Sequence, residues 1–206
     1  MPESTPPPPF PGFHSRLDGG QPVYLRPIRP EDRFRLEAGL ADVSDETLRH
    51  RFLAPVRWLS KAQLDYLTEV DHRSHVAWGA LDPDHLEKPG LGIARFVRLP
   101  KNPTRAEYAL TVIDDAQGAG LGTLLFAVLL VRARQEGINA LVGYVGRNNE
   151  RAARWMRQLG ASIDPADIEE GASLYVIDTA ATSLPQTHAA ERLAARLAEV
   201  ELAFGA

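Results

Sequence analysis

The sequence predicts a mixed α/β fold of the α+β kind, a mostly antiparallel central sheet flanked by helices. Three observations predict it. Residues 105–137 read as a strand, a glycine turn and an apolar helix in immediate succession. Residues 75–98 read as two strands joined by an Asp-Pro-rich loop, the pattern of an antiparallel meander. The 206 residues suffice for one sizeable core and fall short of two.

Composition narrows the function classes. The formal net charge is −4 and no basic arm is present, so nucleic acid is not an expected partner. No run approaches the ~18 consecutive apolar residues of a membrane span, so no membrane partner is expected either. With no cysteine, disulfides, thiolate catalysis and cysteine-ligated zinc are excluded. That fits a cytoplasmic location.

The elements follow in order. Residues 1–21 are rich in Pro and Gly, with Pro6 to Pro9 in a row, and lack the charged start and apolar centre of a signal peptide. They are expected to form a disordered or polyproline leader ahead of a domain spanning residues 22–180. An SH3-type ligand is the alternative. Val23 to Ile28 reads as the first strand, with Pro27 at an edge or irregular end. Pro30 opens a helix with Glu31 and Asp32 in its first turn, where the dipole favours them. Leu36, Leu40 and Val43 keep helical spacing after it.

A second helix is expected from near Ser44, holding Leu48 and Phe52. Ser60 with Gln63 forms a capping-box pattern that opens a short helix carrying Leu64 and Leu67. His72 and His75 are poorly spaced for a metal pair in a loop, with Asp71 alone nearby, and no metal is expected.

After the glycine turn, the helix from about Thr123 to Glu136 shows a broad apolar face of Leu121, Leu124, Leu125, Val128 and Leu129. Gly137 suits a left-handed cap. Asn139 to Val145 is the next strand, a helix from Asn149 closes at Gly160, and Leu174 to Asp178 is the last strand. Residues 181–206 form an amphipathic helical extension, with Ala189, Leu193, Leu197, Val200 and Phe204 on one stripe. Such a stripe must be buried, on its own domain or in a homodimer contact. Monomer and homodimer both stay open.

The turn itself is Gln117-Gly118-Ala119-Gly120-Leu121-Gly122. Glycines let the backbone turn tightly and approach a ligand closely. The helix begins at once, so the N–H groups from Gly118 to Thr123 and the positive dipole end face the turn. That makes an anion site suited to a pyrophosphate. A Walker loop would need a lysine, which is absent. A Rossmann fingerprint would need glycine at Thr123 and an acid ending the strand 139–145, and neither is present.

Gln117 to Gly122 resembles the Q/R-x-x-G-x-G/A signature of the GCN5-related N-acetyltransferase (GNAT) family. Asn149-Glu150-Arg151-Ala152, ending at Leu159-Gly160, is similar to that family's second coenzyme A segment. Leu25-Arg26-Pro27-Ile28-Arg29-Pro30-Glu31-Asp32 and Thr104-Arg105-Ala106-Glu107 resemble the bacterial protein-lysine acetyltransferases of the Pat type. The resemblance covers roughly residues 23–178. It implies a sheet splayed at a site for acetyl-CoA, the co-substrate. The donor residues it implies are Val112, through its N–H, then Gln117, Gly118, Ala119, Gly120, Leu121, Gly122 and Thr123, and Asn149 across the groove. The early helices become one wall of the acceptor groove.

Acetyl transfer to an amine needs a held donor, a stabilised oxyanion and a deprotonated amine. A fixed N–H aimed at the oxyanion is worth roughly 3–4 kcal/mol. A free lysine has a pKa of about 10.4, so neutralising it at pH 7 costs roughly 4–5 kcal/mol. Glu107 is the candidate general base, matching the catalytic glutamate that the Pat resemblance implies, in a setting expected to be desolvated. The bland alternative is an ion pair with Arg105 or Arg95. Glu107 and Val112 stand nominally about 16 Å apart along an extended strand, so a bulge or a water relay is required. Two positions depart from the family pattern. Met156 stands where a general-acid tyrosine is usual, with Tyr108 or Tyr144 as substitutes, and Ala161 stands where phenylalanine is usual.

The expected function is acetyl-CoA-dependent N-acetylation of a primary amine, foremost a protein lysine. A small-molecule amine acceptor, or a non-catalytic acyl-CoA-binding regulatory module, is the alternative. A nicotinamide or ATP enzyme comes last.

Overall fold

The computed structural model describes residues 10–40, 43–44, 46–47, 59–165, 171–181 and 183–205. The helix expected over Leu48 and Phe52 lies outside the described residues.

The sheet begins with a hairpin of β1 (Phe13–Arg16) and β2 (Pro22–Pro27). β3 (His75–Leu81), β4 (Gly92–Leu99) and β5 (Asn102–Val112) continue it, each antiparallel to the one before. β6 (Ala140–Gly146) is parallel to β5. β8 (Ala172–Asp178) and the short β7 (Ser162–Ile163) close an eight-stranded sheet in the order β1-β2-β3-β4-β5-β6-β8-β7. This is the mixed, mostly antiparallel sheet expected.

β1 corrects the reading of residues 1–21 as a disordered leader. From Phe13 the chain is paired, and Leu17 in the following turn is buried at 3% exposure. Phe13 packs on Trp78 and Phe204. The Pro-rich composition ends at residue 11, and one apolar anchor on each side of a short strand is enough to dock it.

A 3₁₀ turn at Pro30–Asp32 leads into α1 (Arg33–Gly39). Asp32 is buried, where it takes both Nη atoms of Arg26 at 2.6 and 2.7 Å. α2 (Lys61–Thr68) has the expected capping box, Ser60 and Gln63 each satisfying the other's backbone N–H.

α3 (Leu121–Gln135) is buried almost all round. The sheet covers one side of it and α5 (His188–Ala203) the other. A helix apolar on every side is stable only in such a sandwich. α5 therefore spends its stripe on its own domain, burying Ala190, Leu193, Leu197 and Val200. α4 (Glu150–Gln158) lies beside α5, with Met156 buried. The alternation of β5 sends Ala106, Tyr108, Leu110 and Val112 toward the α3 core. Ala109 and Thr111 face a small cavity of about 100 Å³ that α1 and α2 cover.

Candidate functional site

The site is a break in the sheet. β5 and β6 pair only over Arg105–Glu107 against Ala140–Val142. Beyond that they part, and a groove of about 1240 Å³ opens between them, running from Glu107 past Val112 and Asn149 to the glycine turn. Tyr108 is the first β5 residue past the last pair. Its ring lies against Gly143 so closely that a Cβ there would fall 2.4 Å from the ring. The same ring meets Phe126 edge-on at 5.2 Å, and its hydroxyl donates to Met156 Sδ at 3.0 Å. Burial raises the Tyr108 pKa well above the ordinary phenol value, so the hydroxyl keeps its proton.

Along the groove wall, backbone donors are set by register. Ile113 N–H donates to the carbonyl of Leu91, just before β4. Antiparallel alternation then turns the N–H groups of Leu110 and Val112 away from β4, toward the break. The β4–β5 ladder runs without a bulge from Gly92↔Val112 to Arg98↔Ala106. The bulge that would have shortened the path from Glu107 to Val112 is absent.

At the far end, Gly118 and Gly120 adopt φ of 80° and 86°, the left-handed region that side chains disfavour. A Cβ on Gly118 would meet nothing within 4 Å, so this backbone is open to a ligand. No side chain caps Gly120, and the first helical bond is Leu124 N–H to the Gly120 carbonyl. The N–H groups of Leu121, Gly122 and Thr123 thus precede any helical partner and sit at the dipole's positive end. Leu121 itself is fully buried, so it can offer a ligand only its backbone.

The other predicted residues divide. Gln117 holds the protein's own parts together: its Nε2 donates to the Val112 carbonyl at 3.2 Å and Asp114 at 3.1 Å, and its Oε1 accepts from Arg151 at 3.0 Å. Asp114 also accepts from the Ser44 N–H, and this bond, with the Thr47 and Ser44 hydroxyls, outweighs partial desolvation and holds its carboxyl below the usual range. The Ala119 carbonyl accepts from Asp18 N–H. The Asn149 side-chain oxygen caps α4 through Ala152 N–H at 3.0 Å.

Glu107 stands at the last position where β5 and β6 pair. It is exposed, in contrast to the desolvated setting expected, and it lines the groove. Arg105 is turned to Asp164, and Arg95 donates to the Leu67 carbonyl and lies 3.2 Å from His75 Nε2. Among the described residues no hydrogen bond or ion pair engages Glu107. Sequence reasoning quoted Arg151 within the second coenzyme A segment without giving it a role, and missed Asp18 and Arg192, which reach the turn across long stretches of chain and leave no local signal.

Among the described residues no group of three or more His, Cys, Asp or Glu could hold a metal. No helix among them is long and apolar enough to cross a membrane.

A mixed sheet broken beside an uncapped glycine turn defines the class, the acetyltransferase (GNAT) fold. The acetyltransferase (GNAT) domain matches residues 23–162, and the chain belongs to that family. Acetyltransferase Pat of Mycolicibacterium smegmatis is 40% identical over 146 residues, covering 69% of this chain and 42% of that protein. The chain therefore spans less than half the length of that relative. An acetyltransferase of Pseudomonas aeruginosa is 34% identical over 143 residues, 69% of this chain and 74% of its own. The GNAT domain of Pat from S. lividans superimposes with a TM-score of 0.75 at 25% identity, covering 81% of this chain and 96% of that one.

Proposed function

We propose that this chain acetylates a lysine ε-amine on a protein, with acetyl-CoA as donor and Glu107 as general base. The observation that carries the reading is the position of Glu107: an exposed carboxylate at the apex of the break, open to the groove and turned to no cation among the described residues. The likeness to Pat supports the choice of lysine.

The donor binds along the break. Gly118, Gly120, Gly122 and Thr123 offer their N–H groups to the diphosphate, with the backbone of Ala119 and Leu121 completing the turn. Gln117 acts by fixing the geometry. Val112 N–H faces the pantetheine arm, and the Asn149 side-chain nitrogen faces it from α4. The amine enters from the α1 and α2 side and passes its proton through water to Glu107. Its nitrogen bonds to the acetyl carbon, the tetrahedral intermediate collapses, and the C–S bond breaks. The second proton of the attacking nitrogen passes to the departing thiolate through the Tyr108 hydroxyl, which stands inside the break and ends the step protonated. That hydroxyl takes the place that Met156 cannot fill.

The test is an acceptor screen with acetyl-CoA: lysine-bearing proteins on one side, polyamines and aminoglycosides on the other. A gain of one acetyl mass on protein lysines is expected. Turnover confined to the small amines would overturn the lysine assignment.

A further inference from the structure

Two segments outside the residues matched by the acetyltransferase domain close over the glycine turn. Asp18, between β1 and β2, donates its backbone N–H to the Ala119 carbonyl at 3.0 Å. Its carboxylate lies over Gly120, where an added Cβ would come within 2.6 Å of Asp18 Oδ1 and 2.8 Å of Arg192 Nη2. Arg192, in the first half of α5, pairs with that carboxylate and lines the groove with Gly118, Gly120 and Gly122. Arg196, one turn further, lies 3.4 Å from Asp18 but is directed at the Arg16 carbonyl at 2.9 Å and Glu199 at 2.7 Å.

A carboxylate beside an anion site opposes binding unless a cation offsets it. Arg192 does so at the turn. A guanidinium carries five donors in a planar fork, so one N–H can stay on Asp18 while others reach a phosphate oxygen. The backbone bond from Asp18 to Ala119 ties this pair rigidly to the turn.

We propose that Arg192, oriented by Asp18, is a donor-binding residue that the C-terminal helix adds to the family's site, bonding the diphosphate of acetyl-CoA at the glycine turn. It rests on the reading of that turn as the donor site. The occupant is a diphosphate because Arg192 stands beside Gly120, at the same N–H groups.

Dissociation constants of the full chain are measured for CoA and dephospho-CoA by calorimetry, and for pantetheine by NMR titration. Arg192→Gln is expected to weaken CoA and dephospho-CoA alike, by about tenfold, as for a lost bond to a charged group. Pantetheine, which has no phosphate, should bind unchanged. Arg196→Gln, which alters the same Asp18 cluster, should leave all three within twofold. Equal weakening of pantetheine would reduce Arg192 to a structural role, and a loss confined to CoA would assign it to the 3′-phosphate. Either result overturns the proposal, as does an Arg192→Gln protein that binds CoA like the wild type. Wild-type protein that binds no CoA would instead sink the donor-site reading itself.

Discussion

The Tyr108 hydroxyl donates to Met156 Sδ across 3.0 Å, joining β5 to α4 over the break in the sheet. Sulfur is a weak acceptor, so this bond is easily exchanged for a better one when a ligand arrives. Tyr108→Phe is expected to keep the fold, with a stability loss of about 1 kcal/mol or less. Turnover should fall about tenfold, less than the usual general-acid contribution, because a thiolate leaves fairly well unaided. Urea unfolding and steady-state rates check the two halves separately.

Glu107→Gln removes the carboxylate proposed as base and keeps its shape. Turnover at pH 7 is expected to fall by roughly 10²-fold or more. CoA affinity should not change, since the side chain stands at the end of the groove away from the glycine turn. The defect should shrink as pH approaches the lysine pKa of about 10.4, where the amine deprotonates without help. A pH–rate series with calorimetry on the same samples decides it.

Gly143→Ala would place a Cβ 2.4 Å from the Tyr108 ring, with β6 backbone on one side and the core on the other. Neither partner can yield cheaply, so a destabilisation of about 1–3 kcal/mol is expected. Combining it with Tyr108→Ala should relieve most of the clash. Melting curves of the single and double variants test the coupling.

His75 predicts an acid limb in stability. Burial, aided by the charge of Arg95, lowers its pKa from 6.5 to about 4. The folded state therefore refuses a proton that the unfolded chain accepts. Its contribution is fully present above pH 6.5 and is lost as pH falls toward 4, at most about 1.4 kcal/mol per unit. His72, buried beside Arg132, acts in the same direction. Urea midpoints at pH 7.5 and 5 should differ, and His75→Gln should narrow the difference.

The strands and helices that carry the site were legible because each has a local cause. The 3.6-residue pattern of α3, the small residues of the turn and the capping pair Ser60–Gln63 act over a few positions. What was missed lies in long-range contacts. β1 is four residues long in a Gly- and Pro-rich region, with Ser15 on its inner side, so no apolar alternation marks it. The contact of Tyr108 with Met156 joins residues 48 apart in sequence, and that of Asp18 with Arg192 spans 174. The desolvated setting assumed for Glu107 failed for a related reason. Alternation told which face the side chain takes, and the parting of the neighbouring strand, which exposes it, is a tertiary event.

The short pairing of β5 with β6 has a cost for the empty protein. Past Glu107 and Val142 the two strands leave unpaired backbone rims in the middle of the sheet, and such rims recruit other chains. A thioester carrier lying in that gap would act as a borrowed strand and screen both rims. Saturating CoA should therefore keep concentrated protein dispersed under heating that drives the empty form to self-associate.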